Sequence, residues 1–443
     1  MQVVRNLTVV VILLSLVLGG SLGSASAQTT FSSGGIGIGA TTTPIAPGTT
    51  ITNQNWQQYR QYMSDGMQAL FEGKYFWKMP SDVKIAVGPT VMNPPPRNYQ
   101  AATESYANNV KLVELPDGGL TLTGYRGGTP FPNPADPHKG WKILADVIYR
   151  YYPHSIVINH AGGCSLDRGG NVNCVNGDVV YRQMSFNTDP GIPTTEPGFE
   201  DVFWTQWYIV TAPEQLRYTA SLTIAHTDPA RSEDLYAFIP SLRRYQPVSP
   251  LARCSLTEGI DITSEDYRSG FDSNLTEMTV DYLGEKKVLA LILPKMPGPF
   301  PDDYDMPLAF PKPSWGEWQV RDSYVISASK LPARQSGYCY GKRVMYIDTT
   351  TYNTYWEDLY DRQNQPWKIA GLFLHTINVP GIGPVDSSGS LLYAFWDIQN
   401  SHASFVGDPT DNSYPVYIND QVPKGYRDNN RYSTPSGLNL IMR

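Results

Sequence analysis

The chain has 443 residues, of which 34 are lysine or arginine and 41 are aspartate or glutamate, so its formal net charge is −7. A mildly acidic chain lacks the basic surface that phosphate binding needs, which argues against a nucleic-acid partner. The length suits one large β domain or two smaller ones, and no internal linker divides the sequence.

The first 27 residues have the pattern of a secretory signal peptide. Arg5 supplies the positive region, residues 7–18 form an apolar run, and Ala25, Ser26 and Ala27 form a cleavage site between small residues. The apolar run is too short to span a bilayer, although an uncleaved anchor helix is the alternative. We therefore expect a periplasmic mature chain of 416 residues (443 minus 27).

Helical patterns lie near the front of the mature chain. Residues 28–52 are rich in glycine, threonine and proline and predict a flexible arm, and residues 53–443 predict a single domain. Apolar residues recur at helical spacing over 56–70 and 99–110. A third helix is predicted to begin after Asp136, which is a favourable N-cap residue.

Most of the remaining chain alternates apolar and polar residues in period two, as half-buried strands do. The predicted strands cover 155–160, 178–186, 203–211, 216–226, 235–239, 278–283, 287–293 and four runs within 318–376. Polar turns at 348–350 and 361–364 join the later runs into a meander. One face of this meander is heavily aromatic, so it must cover either helices of the same chain or an apolar ligand.

The chain has four cysteines, and an even number after a signal peptide predicts two disulfides. Of the three possible pairings we favour Cys164 with Cys174, which closes a glycine-rich loop, and Cys254 with Cys339, which pins a loop to the next hairpin. A zinc site is the alternative, but the sequence has no C-x-x-C pair.

The meander carries an ordered set of short motifs: W-x-V-R…Y-V-I-x-A, K-R-V-x-Y-I-D and W-x-D-x-Y-D-R…W-K. Others are PPPRNYQAAT at 94–103, GTPFPNPADPHKGWKI at 128–143, YAFIPSLRRYQPVSP at 236–250 and the ending RYSTPSGLNLIMR. In this order they resemble the domain-of-unknown-function family 1329, which is related to the LolA/LolB lipoprotein carriers. The match runs from about residue 55 to residue 443, and its specificity lies in the order of the motifs.

The resemblance implies an α+β fold in which a large curved antiparallel sheet, the LolA/LolB-like unclosed barrel, wraps around helices. It also implies a non-catalytic periplasmic carrier that binds a lipid or another hydrophobic molecule and is accessory to envelope transport. A transporter of the resistance-nodulation-division type or an outer-membrane protein is the partner implied by the same analogy.

Two groups of residues are candidates for ligand binding. Aromatic and aliphatic residues of the meander line either a cavity or the core: Tyr324, Ile326, Tyr346, Trp356, Trp367 and Phe373. Arg243 and Arg244 end a strand, so one of them is predicted to face inward and bind a carboxylate or phosphate head group at a cavity rim; a solvated surface hairpin is the alternative. The proline-rich segment 294–313 is either a mobile lid or a rigid surface loop.

No sequence motif indicates catalysis, so we expect no catalytic residue, metal or cofactor. Zinc-hydrolase, nucleophile-elbow and phosphate-loop patterns are absent from the sequence. Asp358 and Asp361 are close in sequence, but strand parity should point them to opposite faces. Two alternatives stay open. Titratable groups that converge in a pocket would favour a cell-envelope hydrolase, and the lack of a large cavity would favour an envelope structural or assembly protein.

Overall fold

The computed structural model describes residues 44–256, 259–409 and 415–442. The predicted signal peptide and residues 28–43 of the predicted arm lie outside these ranges. The strands are β1 (Thr50–Ile51), β2 (Ile85–Ala86), β3 (Lys111–Glu114), β4 (Leu120–Thr123), β5 (Ser155–Asp167), β6 (Val172–Gln183), β7 (Val202–Ala212), β8 (Ala220–His226), β9 (Asp234–Ile239), β10 (Arg244–Val248), β11 (Met278–Leu293), β12 (Tyr304–Asp305), β13 (Phe310–Pro311), β14 (Trp318–Lys330), β15 (Lys342–Asp348), β16 (Thr354–Tyr360), β17 (Pro366–Val379), β18 (Gly383–Asp397), β19 (His402–Pro409) and β20 (Val416–Ile418). The helices are α1 (Asp65–Glu72), α2 (Arg97–Tyr106), α3 (Lys139–Tyr149), α4 (Tyr267–Gly270), α5 (Asn429–Tyr432) and α6 (Pro435–Leu438).

Within the described residues, fourteen strands form one sheet in the order β10-β9-β8-β7-β6-β5-β19-β18-β17-β11-β14-β15-β16, with β20 beside β5. Neighbours are antiparallel except β11 and β17, which run parallel where Ile292 faces Leu374. Since β17 also pairs with β16, strands β11, β14, β15, β16 and β17 close a small ring, while β10 stays an open edge. The prediction of an α+β fold with a large, curved, unclosed antiparallel sheet is confirmed.

The predicted meander corresponds to β14 to β17, and its turns form at the predicted positions. Asp348 Oδ1 accepts the backbone N–H groups of Thr350 and Thr351, and Asp361 Oδ1 accepts that of Gln363. Every residue of β16 and nearly every residue of β15 is buried, however. The expectation of half-buried strands is wrong here, because β16 is covered on both faces. Helix α1 contacts Asp358, and α4 lies against the neighbouring Glu357, whose side chain points to the opposite face.

The predicted helices exist but have different ends. The first is divided: a 3-10 helix at Trp56–Tyr62 stops before Ser64, whose hydroxyl accepts the backbone N–H of Met67 and caps α1. The predicted cap at Asp136 is wrong, because α3 begins after His138, a residue with left-handed backbone. In the described part of the chain, no helix combines the length and the apolar character that crossing a membrane requires.

Two segments that were candidates for flexibility are packed. Ile51 of β1 is fully buried, and β1 pairs with β2, so the ordered fold begins before residue 53. In the segment 294–313, Phe300 and Phe310 are buried. The Phe300 ring stacks on Phe405 at 4.9 Å between centroids, and Phe310 stacks on Trp318 at 6.1 Å. This segment is part of the aromatic core rather than a lid over a cavity.

Both favoured disulfides are present. Cys164 and Cys174 face each other directly across β5 and β6, so the predicted glycine-rich loop is the end of a long hairpin. Cys254 ends the 3-10 helix Pro250–Cys254 and is bonded to Cys339 in the connection between β14 and β15.

Candidate ligand-binding cavity

A cavity of about 470 Å³ lies against one face of the sheet from β5 to β9, and we call it the apolar cavity. Its volume is in the range of pockets that bind small molecules. The apolar lining residues are Tyr152, Ile156, Ile158, Ala161, Val175, Val179, Tyr181, Trp204, Tyr208, Ala220, Leu235, Tyr236, Ala237, Val248, Ala252, Leu256, Ile260, Tyr267, Tyr393 and Val406. The polar lining residues are Gln206, Thr219, Ser221, Thr223, Arg253, Ser255, Ser264, Arg268 and Asp272.

The pleat of the sheet decides which residues reach the apolar cavity. Val179 of β6, Tyr208 of β7 and Ser221 of β8 line it. Their neighbours Val180 and Trp207 point to the opposite face and join a buried cluster that includes residues of α5 and α6. Successive side chains of a strand alternate between faces, so one face forms the cavity wall while the other is fixed by its own core.

A second cavity of about 370 Å³ lies beside the first. The two cavities share the lining residues Trp204, Arg253, Arg268 and Asp272. Charged side chains therefore form much of the boundary between them. We call this set the charged wall: Glu233, Arg253, Glu265, Arg268 and Asp272.

Arg253 is the centre of the charged wall. Its Nη1 pairs with Glu233, its Nε lies 2.7 Å from Glu265 Oε1, and its Nη2 lies 3.5 Å from Asp272 Oδ2. Arg268 reaches the same Asp272, with 3.7 Å between Nε and Oδ1. Four of these side chains are largely buried, with exposed fractions from 4% to 12%: Arg253, Glu265, Arg268 and Asp272. Removing Arg253 would leave buried carboxyl groups without their shared counter-charge.

Two carboxyl groups of the charged wall have pKa values shifted in opposite directions. Burial, together with the neighbouring charge of Asp272, raises the pKa of Glu233 to about 8. Burial also acts on Glu265, but Arg253 and Lys330 outweigh it and lower the pKa of that carboxyl. Two carboxyl groups with divergent pKa values are what acid–base catalysis uses, so this feature bears on the hydrolase alternative.

The six residues predicted to line a cavity border neither of the two cavities. Four are buried in core clusters: Ile326, Tyr346, Trp356 and Phe373. Trp367 is half-buried and its Nε1 donates to Asp397 Oδ2 at 2.8 Å, and Tyr324 is half-buried beside Tyr352. The structure brings these side chains into the core of the ring and its surroundings. Ligand binding by them stays a prediction.

Arg243 and Arg244 do not point inward as strand parity predicted. A 3-10 turn at Pro240–Leu242 separates them from β9, and Arg243 has a left-handed backbone with φ of 48°. Both side chains are exposed at the β9–β10 hairpin, and neither borders the two cavities. The parity argument failed because it assumed an uninterrupted strand.

Asp358 and Asp361 have separate roles, in line with the parity argument. Asp358 is buried and accepts the Gly66 backbone N–H at 2.9 Å and the Tyr346 hydroxyl at 3.2 Å. Asp361 organises a turn. Among the residues that the structure describes, no group of three or more histidine, cysteine or acidic side chains is arranged to hold a metal ion.

Sequence reasoning missed the charged wall. Three of its members come from SEDYRSGFD at 264–272, a segment with no clear periodicity. The available signal was its density of charge, since charged residues make up only 17% of the chain. Glu233 and Arg253 lie outside that segment and give no local signal.

The chain matches the family model "Protein of unknown function (DUF1329)" over residues 50–438 and belongs to that family. A crystal structure of a DUF1329 family protein from Desulfovibrio piger is 11% identical, with a TM-score of 0.44 over 66% of this chain and 98% of that chain. An outer membrane lipoprotein-sorting protein domain from Vibrio parahaemolyticus is 12% identical, with a TM-score of 0.44 over 66% and 97% of the two chains. A LolA superfamily protein from Nitrosomonas europaea is 13% identical, with a TM-score of 0.35 over 63% and 92%. No curated protein matches the sequence.

Proposed function

We propose that this protein is a non-catalytic carrier that holds a lipid or another hydrophobic molecule in the apolar cavity. The supporting observation is the lining of that cavity, in which Ile158, Val179, Tyr208 and other apolar side chains face a concave volume of about 470 Å³. Each Å² of apolar ligand surface removed from water contributes roughly 25 cal/mol. Shielding of this kind binds a hydrophobic molecule without any chemical step.

The periplasm is the proposed compartment. Both cysteine pairs are oxidised, and disulfides persist in oxidising compartments such as the bacterial periplasm. A carrier there would receive its cargo from one envelope component and deliver it to another. Transporters of the resistance-nodulation-division type and outer-membrane proteins are the proposed partner classes, by analogy with the family's carriers.

A cell-envelope hydrolase is the second candidate, favoured by the divergent pKa values of Glu233 and Glu265. The contacts of Arg253 favour the carrier instead, because this one guanidinium engages all three carboxylates of the charged wall. The candidates differ in the fate of a bound lipid ester. A carrier returns it unchanged after incubation, whereas a hydrolase releases a fatty acid that mass spectrometry detects.

The carrier proposal is tested by filling the cavity. Val179 borders the apolar cavity, whereas Val172 lies on the same strand with 39% of its surface exposed. We expect the wild type and Val172→Trp to retain a hydrophobic adduct in native mass spectrometry after purification from a periplasm. We expect Val179→Trp to lose it, because the indole occupies ligand volume. An adduct retained equally by Val179→Trp, or absent from all three proteins, contradicts the proposal.

A further inference from the structure

Two polar groups at the apolar cavity are buried and, within the described residues, make no hydrogen bond of strict geometry except that they approach each other closely enough for a weak Arg268–Tyr181 hydrogen bond. They are Arg268 Nη1 and the Tyr181 hydroxyl. Both residues line the apolar cavity, and only 8% of Arg268 and 4% of Tyr181 is exposed. Buried donors are rarely left unsatisfied, because such a donor loses its hydrogen bonds to water without replacement. The Tyr181 hydroxyl can accept a hydrogen bond from Arg268, but its own proton then has no acceptor, so the pair has room for an acceptor that a ligand would supply.

The Arg268 guanidinium is held firmly in this position. Its Cζ lies 4.2 Å from the ring centroid of Trp204, 4.7 Å from that of Tyr152 and 5.7 Å from that of Tyr181. Stacking on aromatic faces fixes the plane of the guanidinium and leaves its edge available for hydrogen bonds. Arg268 has a left-handed backbone with φ of 54°, a strained conformation for a non-glycine residue that often marks functional sites.

The charge around Arg268 leaves room for one negative group. Arg253 and Arg268 contact the carboxyl groups of Glu233, Glu265 and Asp272. A third guanidinium, that of Arg150, donates to the Arg268 carbonyl at 2.7 Å. Burial and the charge of Asp272 raise the pKa of Glu233 to about 8, so that carboxyl is largely protonated at neutral pH. The cluster then carries an excess positive charge beside an apolar cavity.

From these contacts we propose that the cargo is an amphiphile whose anionic oxygen head group, a carboxylate or a phosphate, accepts hydrogen bonds from Arg268 Nη1 and the Tyr181 hydroxyl. Its chain lies along the apolar lining. This inference rests on the carrier function proposed above and adds the chemical class of the cargo. It places the head-group site at the buried Arg268 rather than at the exposed Arg243 and Arg244.

The test compares dodecanoate, dodecyl phosphate and dodecan-1-ol, which share a chain and differ in head group, by isothermal titration calorimetry. We expect both anions to bind the wild type at least about tenfold more tightly than the alcohol, since a hydrogen bond to a charged group contributes more than a neutral one. Tyr181→Phe and Arg268→Met should remove most of that preference and leave the affinity for the alcohol nearly unchanged. Arg217→Met is the matched control, because Arg217 also stacks on a tyrosine, Tyr218 at 4.9 Å, but borders neither cavity.

The outcomes separate this inference from the carrier proposal. Equal binding of all three ligands by the wild type overturns the head-group site and leaves the carrier intact, whereas no binding of any ligand overturns both. Tyr181→Phe should unfold close to the wild-type temperature. If Tyr181→Phe is less stable than the wild type but still prefers the anions to the alcohol, Tyr181 and Arg268 only bond each other, and the inference fails. Inorganic phosphate and acetate should not compete with dodecanoate for the site. Competition would show that the site binds a free anion and would contradict the proposal that the cargo is an amphiphile.

Discussion

At the scale of single residues, the charged wall concentrates the largest electrostatic effects near the cavity. Arg253 compensates three carboxylates that the chain brings from positions 233, 265 and 272. A single guanidinium does not offset the burial of all three, and the pKa of Glu233 is raised to about 8 from an ordinary value of 4.5. In the folded state, the ionised form of this carboxyl is therefore penalised relative to its protonated form.

The sign of this shift gives a pH-dependent prediction for Glu233→Gln. Between pH 4.5 and about 8 the folded wild type holds a proton that the unfolded chain releases, so this group lowers the free energy of unfolding as pH rises through that window. Glutamine resembles the protonated carboxyl at every pH. We expect the variant to be close to the wild type near pH 4.5 and to exceed it at pH 9 by up to about 5 kcal/mol, measured by urea denaturation.

Glu104→Gln is the control for losing one carboxylate, because Glu104 is exposed on α2. The difference between Glu233→Gln and the wild type should grow with pH, whereas that of the control should not. A Glu233→Gln variant that is less stable than the wild type at pH 9 would show that the ion pair with Arg253 outweighs the burial of the carboxylate.

Little of the site could be predicted at this scale. Local pattern identified Tyr346, Trp356 and Phe373 as inward-facing, and they are buried, but it could not separate a core from a cavity. That distinction depends on which strands lie opposite each other. Arg268 and Tyr181 meet only because the chain folds α4 against β6, about 90 residues earlier in the sequence. No local signal reports such a contact.

At the scale of elements, α1 is attached to the sheet by a close approach of backbone. The Gly66 backbone N–H donates to Asp358 of β16 at 2.9 Å. A Cβ atom at Gly66 would meet the same carboxylate and would lie 2.7 Å from Ile369 Cγ2. Glycine is usually unfavourable inside a helix by roughly 0.5–1 kcal/mol relative to alanine. Here it permits contact between a helix and two strands.

We therefore expect Gly66→Ala to destabilise the protein, against the ordinary helix preference. The added methyl must displace Asp358 or Ile369, and such overpacking costs roughly 1–3 kcal/mol. Gly425→Ala is the control, because a Cβ there meets nothing within 4 Å; it should be neutral or stabilising by up to about 1 kcal/mol. Denaturant titration measures both variants. A Gly66→Ala variant as stable as the wild type would mean that α1 shifts freely on the sheet.

Elements were predictable where period-two alternation was uninterrupted. The meander and the strands β7 and β9 follow that pattern, and the structure places them close to the predicted bounds. The pattern failed where glycine removed the side-chain signal. The stretch from Gly162 to Gly177 contains much of the β5–β6 hairpin, yet its glycines and asparagines indicate a loop. Helix ends were less predictable, since a left-handed His138 rather than Asp136 precedes α3.

At the scale of the whole molecule, closure of the ring depends on contacts that no local pattern encodes. β11 and β17 are joined in parallel by two residue pairs, with about 80 positions between the paired residues. Four of the five charged-wall residues lie in the chain between β10 and β11, and Glu233 lies just before β9. The same connection between β10 and β11 supplies Ala252, Ser264 and Tyr267 to the lining of the apolar cavity, and we call it the cavity cover. The disulfide from Cys254 to Cys339 ties the cavity cover to the connection that precedes β15.

The two disulfides should accordingly differ in their effects on stability and on binding. Chain entropy gives about 3 kcal/mol for the loop closed by Cys164 and Cys174 and about 4.5 kcal/mol for the loop closed by Cys254 and Cys339, because these span 10 and 85 positions. Replacing the second pair by alanine should therefore cost more stability in denaturant titration.

The second replacement should also weaken hydrophobic binding, since Ala252, Arg253 and Leu256 beside Cys254 line the apolar cavity. The first pair lies in a hairpin that backbone pairing already fixes on both sides of the cysteines, so its double alanine variant should keep dodecanoate binding. The comparison is made at a temperature where both variants remain folded, with dodecanoate titrated into each. Equal affinities in the two variants would show that the cover stays in place without its disulfide, and that packing alone holds the charged wall against the sheet.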